Sequence, residues 1–228
     1  MNLVGHSLGG YVSTKYAMSY PERVSRLILL SPLGVEENKN DTRKSWRRPE
    51  IDENWCGKYL FSLGKWLVRN NKSPLDVLRC LGRWIAPFLI KGVLNKRLHH
   101  FPKEDLDDLY PYFYQITMAN GSGEYAMSKI IEMTLQAYEP LYADLVLIKE
   151  QNIPVSLAFG DNDYINTKFN DKPISDTLTD EGFDVHIIPQ SSHQVYLDQP
   201  IDWVQLINNI FENENIFHER LTKLPDFR

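Results

Sequence analysis

Two cysteines, Cys56 and Cys80, are all that the 228 residues contain, too few for a disulfide scaffold and without the paired spacing of a zinc site. That scarcity points to a reduced, intracellular compartment, and no metal centre is expected. Long apolar runs are absent as well. The greasiest window, from Trp84 to Leu94, is broken by Pro87 and Lys91 and falls short of the ~18 residues that a membrane-crossing helix needs. The opening Met1-Asn2-Leu3-Val4-Gly5 lacks the basic stretch and apolar run of a secretory signal. Internal repeats and low-complexity tracts are missing too. What is present, 43% hydrophobic, 12% aromatic and 24% charged residues, is a globular composition. The length suits one core carrying an insertion, since single cores stop growing at roughly 250 to 300 residues.

Charge is unevenly spread. The net charge is -5, yet from Lys39 to Lys103 there are 15 Lys and Arg against 5 Asp and Glu, so the rest of the chain carries 10 against 25. A basic segment of +10 therefore sits inside an acidic protein of -15. Trp46, Trp55, Trp66 and Trp84, four of the five tryptophans, fall in the same segment. A pI of about 5.7 for the whole chain argues against nucleic acid as the partner of these cations.

Three blocks follow along the chain. In residues 1–35, Leu3-Val4 reads as the end of a buried strand, Gly5 to Gly10 as a tight turn, Tyr11 to Ser19 as a helix and Val24 to Leu30 as a second strand. Residues 36–150 show no strand pairs and read as helices separated by Pro74, Pro87, Pro102, Pro111 and the Gly121-Ser122-Gly123 turn. Residues 151–228 return to an α/β rhythm, with strands at Val155–Phe159 and Phe183–Ile188 and helices near Ile174–Glu181 and Ile201–Phe211. Short apolar strands alternating with helices predict an α/β fold, a parallel sheet with covered faces, interrupted by a helical insertion.

The chemistry-bearing residues fall at the carboxyl ends of these strands. Gly5-His6-Ser7-Leu8-Gly9 matches G-x-S-x-G between a strand and a helix. A serine there takes a strained turn that flanking glycines permit, and the helix N-terminus supplies N–H groups, with Leu8 first, to a developing oxyanion. Gly160-Asp161-Asn162-Asp163 follows one later strand and Ser191-Ser192-His193 the next. The order Ser, Asp, His at successive strand ends is that of a nucleophile, an orienting acid and a general base. On spacing alone either Asp161 or Asp163 could be the acid. His193 through Asp198 also forms H-x4-D, in which Asp198 is either a second acyltransferase-type residue or one that caps the helix after Pro200 or pairs locally.

On these motifs the sequence resembles an α/β-hydrolase subfamily that includes fungal mitochondrial cardiolipin-specific deacylases, fungal lysophosphatidic acid acyltransferases and related mammalian lipases. The supporting stretches also include Ser73-Pro74-Leu75 with Leu78-Arg79, and Asn120-Gly121-Ser122-Gly123-Glu124-Tyr125-Ala126. The resemblance implies Ser7 as nucleophile, Asp163 rather than Asp161 as the acid, His193 as base, and a phospholipid or lysophospholipid substrate. It implies no cofactor, with acyl-CoA as co-substrate if the reaction is acyl transfer. The insertion would be a lid whose basic, Trp-rich surface touches an anionic membrane, or else a solvated helical face with the tryptophans in its core. Localisation would be mitochondrial or cytoplasmic and lipid-associated. Members of the subfamily carry several strands and a His-Gly oxyanion loop before the nucleophile, so the chain is expected to be the C-terminal part of that fold, a piece of a longer product. The other expectation is a non-catalytic lipid- or partner-binding remnant.

Overall fold

A computed structural model describes residues 1–36, 62–64, 66–67, 69–98, 101–131, 137–166, 168–169 and 172–222. Two compact units share them: Met1–Asp41 with Leu135–Arg228, and Thr42–Thr134.

The first unit is built on a four-stranded parallel sheet of β1 (Asn2–His6), β2 (Arg26–Leu30), β3 (Val155–Gly160) and β6 (Asp184–Ile188), in the spatial order β1-β2-β3-β6. A two-residue antiparallel pair, β4 (Lys168–Phe169) with β5 (Lys172–Pro173), stands apart from it. Register is fixed by pairs such as Leu3 with Leu27, Leu27 with Val155 and Ser156 with Asp184. Leu27 to Leu30 and all of β3 are buried, which is why both strands read as apolar runs rather than as alternating patterns. Parallel neighbours need crossovers. Helix α1 (Leu8–Ser19) provides one from β1 to β2, turning on Tyr11, Thr14 and Ala17, all buried.

Several elements differ from expectation. Helix α1 begins at Leu8, not Tyr11, because Ser7 turns the chain so sharply that Gly9 and Gly10 already belong to its first turn. Pro74 opens one helix of the insertion and Pro102 immediately precedes another, as expected, but Pro87 and Pro111 do not part helices. In α2 (Pro74–Arg97) the break falls at Gly82, with φ 64° and ψ -173°, while Pro87 lies inside. Pro87 comes early in the segment restarted at Arg83, where it forfeits little beyond one carbonyl partner. Pro111 likewise lies inside α3 (Lys103–Met118). The sheet unit resumes at Leu135 rather than at 151. The reason is burial: Leu141, Leu145 and Ile148 on and before α5 (Tyr142–Glu150) are fully inaccessible, and Lys15 of α1 reaches Asp144 at 2.7 Å. Beyond α6 (Ile174–Asp180) and the four-residue α7 (Val195–Asp198), the last helix, α8, runs Pro200–Thr222. Its Trp203 and Leu206 pack on Leu30, Ala158, Ile188 and Val195.

In the second unit Ser73 caps α2 reciprocally: its hydroxyl accepts from Asp76 N at 3.2 Å and Asp76 accepts from Ser73 N at 2.9 Å. Arg79 then donates to Asp76 at 3.0 Å and to Glu124 at 2.6 Å, and Tyr125 donates to Asp76 at 2.8 Å. The Ser-Pro-Leu, Leu-Arg and Gly-Glu-Tyr stretches are thus one hydrogen-bonded staple joining α2 to α4 (Glu124–Ile130).

Candidate active site

Ser7 follows the last residue of β1 with φ 54° and ψ -120°, a left-handed conformation that side chains rarely adopt. Its backbone is fastened on both sides: Ser7 N donates to Leu30 O at 3.0 Å, and Ser7 O accepts from Leu33 N at 3.1 Å and Tyr11 N at 3.2 Å. The two glycines of the motif are not equivalent. A Cβ on Gly5 would lie 2.6 Å from Gly9 O and 2.8 Å from Gly10 Cα, whereas a Cβ on Gly9 would meet nothing within 4 Å. The steric need on the helix side falls on Gly10, where a Cβ would come 3.0 Å from Pro32 Cβ. Leu8 opens α1, so its N–H is among those the helix leaves unused.

His193 and Asp163 are brought together. His193 Nδ1 lies 3.1 Å from Asp163 Oδ1, and both residues are buried. The same carboxylate oxygen accepts from Ile165 N at 2.9 Å. Burial acts to raise the Asp163 pKa, but His193, Ser31 and the Ile165 N–H together hold it below its ordinary value. Asp161 is engaged elsewhere. It accepts from Gln190 N at 2.9 Å and Ser191 N at 3.0 Å, and the Gln190 N–H is the chief reason its pKa is lowered. Gly160 admits this closure, because a Cβ there would strike the carbonyls of Ser191 and Ser192. Asp198 accepts from Ser192 N at 2.7 Å and Ser192 Oγ at 2.6 Å, a brace on the loop that presents His193. No hydrogen bond joins Ser7 Oγ to His193; such bonds are often long in ligand-free enzymes and tighten with substrate.

Four further residues shape the site. His6 Nε2 lies 2.8 Å from the His193 carbonyl; since a carbonyl only accepts, the hydrogen sits on Nε2. The His6 ring lies 4.7 Å from that of His193 and 5.2 Å from that of Tyr196. Burial lowers the His6 pKa from its ordinary 6.5, only partly opposed by the bond to His193. The Tyr164 ring also lies 4.7 Å from that of His193. Ser31, at the end of β2 with φ 45°, is buried near Asp163; neither its Oγ nor Asp163 Oδ2 has a well-formed hydrogen bond. Each is a neighbour of a motif residue or of a strand end, but nothing local in sequence announces a contact across 187 positions such as His6 to His193. Among the described residues no cluster of three or more His, Cys, Asp or Glu side chains has the arrangement of a metal site.

Comparison with known proteins gives a consistent picture. Residues 1–54 match the family model for the α/β-hydrolase fold. The chain is 31% identical over 203 residues to a (lyso)-N-acylphosphatidylethanolamine lipase of Mus musculus, covering 88% of this chain and 55% of that protein. It is 30% identical over 205 residues to a 1-acylglycerol-3-phosphate O-acyltransferase of Arabidopsis thaliana, covering 87% and 46%. The chain thus spans about half the length of these relatives. Among solved structures, Cfl2 of Burkholderia cenocepacia superposes with a TM-score of 0.52 at 17% identity, over 92% of this chain and 65% of that one, a likeness of fold.

Proposed function

We propose that this chain, which has the α/β-hydrolase fold and is similar to lipid hydrolases and acyltransferases, is a serine-dependent acyl hydrolase or acyltransferase acting on a phospholipid or lysophospholipid. The observation that carries the reading is the buried Asp163–His193 pair, 3.1 Å apart, at strand ends two and three places from the strained Ser7. Neutral serine is a poor nucleophile near neutral pH. As substrate settles, His193 Nε2 takes the Ser7 proton while Oγ bonds to the ester carbonyl carbon, and the carbonyl electrons move onto oxygen. The Leu8 N–H faces that oxyanion. Asp163 holds the Nδ1–H tautomer and stabilises the imidazolium. Collapse of the intermediate expels the alcohol, which receives the proton from His193, and leaves an acyl-Ser7 ester. Water, or the hydroxyl of a lysophospholipid, then takes the acyl group by the same route in reverse. In the acyltransferase form acyl-CoA would be the donor. The lid surface would contact an anionic membrane holding the substrate.

The other reading is a lipid-binding protein without turnover. Turnover of a soluble short-chain ester separates the two. Asp163→Asn should lower kcat by about 10⁴, the effect of a misplaced tautomer in serine proteases, while Asp161→Asn, which loosens only the loop brace, should cost far less. The reverse ranking, or turnover that neither change affects, would overturn the assignment, and a folded parent chain without turnover would leave the binding reading.

A further inference from the structure

The second half of α2 is apolar on two sides. After the break at Gly82, Ala86, Ile90 and Leu94 recur at helical spacing and are buried. Trp84, Ile85, Phe88, Leu89 and Val93 occupy the positions between them and are exposed, Trp84 by 76% and Phe88 by 77%. At ~100° per residue the exposed five fan over about half of the helix circumference. The first set is inaccessible, and the second is open to solvent. A helix that is apolar all round belongs in a core or in lipid, and a contiguous exposed patch of large apolar side chains marks an interaction site.

The charges say which kind. From Val77 to Lys103 the chain has six Lys and Arg and no Asp or Glu. Arg79 is neutralised within the staple. Arg83, Lys91 and Lys96 are exposed, and none of them pairs with a carboxylate among the described residues. The Arg83 guanidinium lies 5.2 Å from the centre of the Trp84 ring and Lys91 Nζ 4.6 Å from that of Tyr110. Acidic residues enter with Glu104 and Asp105 in the first turn of α3. Arg79 donates to the Thr117 carbonyl and Lys91 sits over Tyr110, so α2 and α3 run antiparallel and those acids lie at the opposite end from Trp84.

We infer that α2 from Arg83 to Lys96 is a docking surface for an anionic lipid bilayer, lying in the headgroup plane with Trp84 and Phe88 inserted and Arg83, Lys91 and Lys96 on the phosphates. At ~1.5 Å per residue the segment is about 20 Å long, and no described helix is long and apolar enough to cross a membrane. Tryptophan favours the interfacial level, and an apolar face with a cationic rim binds in proportion to both. The inference rests on the lipid-acting reading above, and gives its membrane contact a place.

The test is co-sedimentation of the 228-residue chain with vesicles of phosphatidylcholine, with and without phosphatidylglycerol. The chain should partition onto the anionic vesicles and be released by salt. Charge reversal of Arg83, Lys91 and Lys96 to Glu should weaken partition roughly hundredfold, about fivefold or more for each cation. Trp84→Ser with Phe88→Ser should weaken it about tenfold or more, and both variants should hydrolyse a soluble short-chain ester as the parent does. Ser7→Ala should bind vesicles normally, so loss of catalysis and loss of docking are read separately. Equal partition of parent and both variants would overturn the proposal. So would sedimentation showing that Trp84→Ser with Phe88→Ser merely converts a dimer to a monomer, which would give the face to a second copy of the chain.

Discussion

Ser7 is held where an ordinary side chain costs roughly 1 to 3 kcal/mol, with φ at 54°, and the residues that allow this are only partly those named by its motif. Gly5 is required, because any Cβ would press into the Gly9 carbonyl and the Gly10 Cα. Gly9 faces open space, so the motif match at that position does not reflect packing in this chain. Gly5→Ala should therefore destabilise by about 3 kcal/mol, as overpacking does. Gly9→Ala should be neutral or stabilise by up to about 1 kcal/mol, since alanine is the better helix former. Urea unfolding of the two variants checks this, and equal losses would contradict it. The triad candidates were legible at this scale because each stands in a short pattern at a strand end. Choosing between Asp161 and Asp163 was not possible from spacing alone: the two differ in which loop atoms they meet, Gln190 and Ser191 N–H for one and the imidazole for the other.

The loop after β6 is the element on which the site depends, and it is pinned from three directions. Asp161 holds Gln190 and Ser191, Asp198 holds Ser192, and His6 holds the carbonyl of His193 itself. Of these only the Asp198 brace was foreseeable, as a local pairing rather than a helix cap. His6 gives the loop a pH dependence. Its folded pKa lies below the ordinary 6.5, so between those two values the unfolded chain binds more protons. The stability contributed by neutral His6 is complete above 6.5 and is lost as the pH falls through the folded value. Urea midpoints at about pH 7.5 and about pH 5.5 should differ more for the parent chain than for His6→Gln; an unchanged slope would mean that the peg carries no titration. Helix boundaries were the least legible elements. Pro87 and Pro111 looked like breaks but are accommodated inside helices, whereas the break at Gly82 has no signal beyond a glycine in a helical pattern.

Across the whole molecule the sequence separated a basic, tryptophan-rich segment from acidic flanks, and in the described part of that segment the aromatics are turned outward. Trp66 is 56% and Trp84 76% exposed, which is not the burial expected of a segment that uses them as core. Trp46, Trp55 and the Arg43, Lys44, Arg47, Arg48 cluster lie outside the described residues. The parallel sheet was legible because β2 and β3 are apolar runs between turn signals. Where the sheet unit resumes was not, since α5 buries Leu145 and Ile148 without a strand to announce it. The central claim is that this fold activates Ser7. Its most direct test is reaction of the chain with a fluorophosphonate followed by peptide mapping, because only an activated serine attacks such a phosphorus centre at useful rates. The account predicts label on the peptide containing Ser7, abolished by Ser7→Ala and slowed by Asp163→Asn. Label that survives Ser7→Ala, or that never appears in a folded chain, would contradict it.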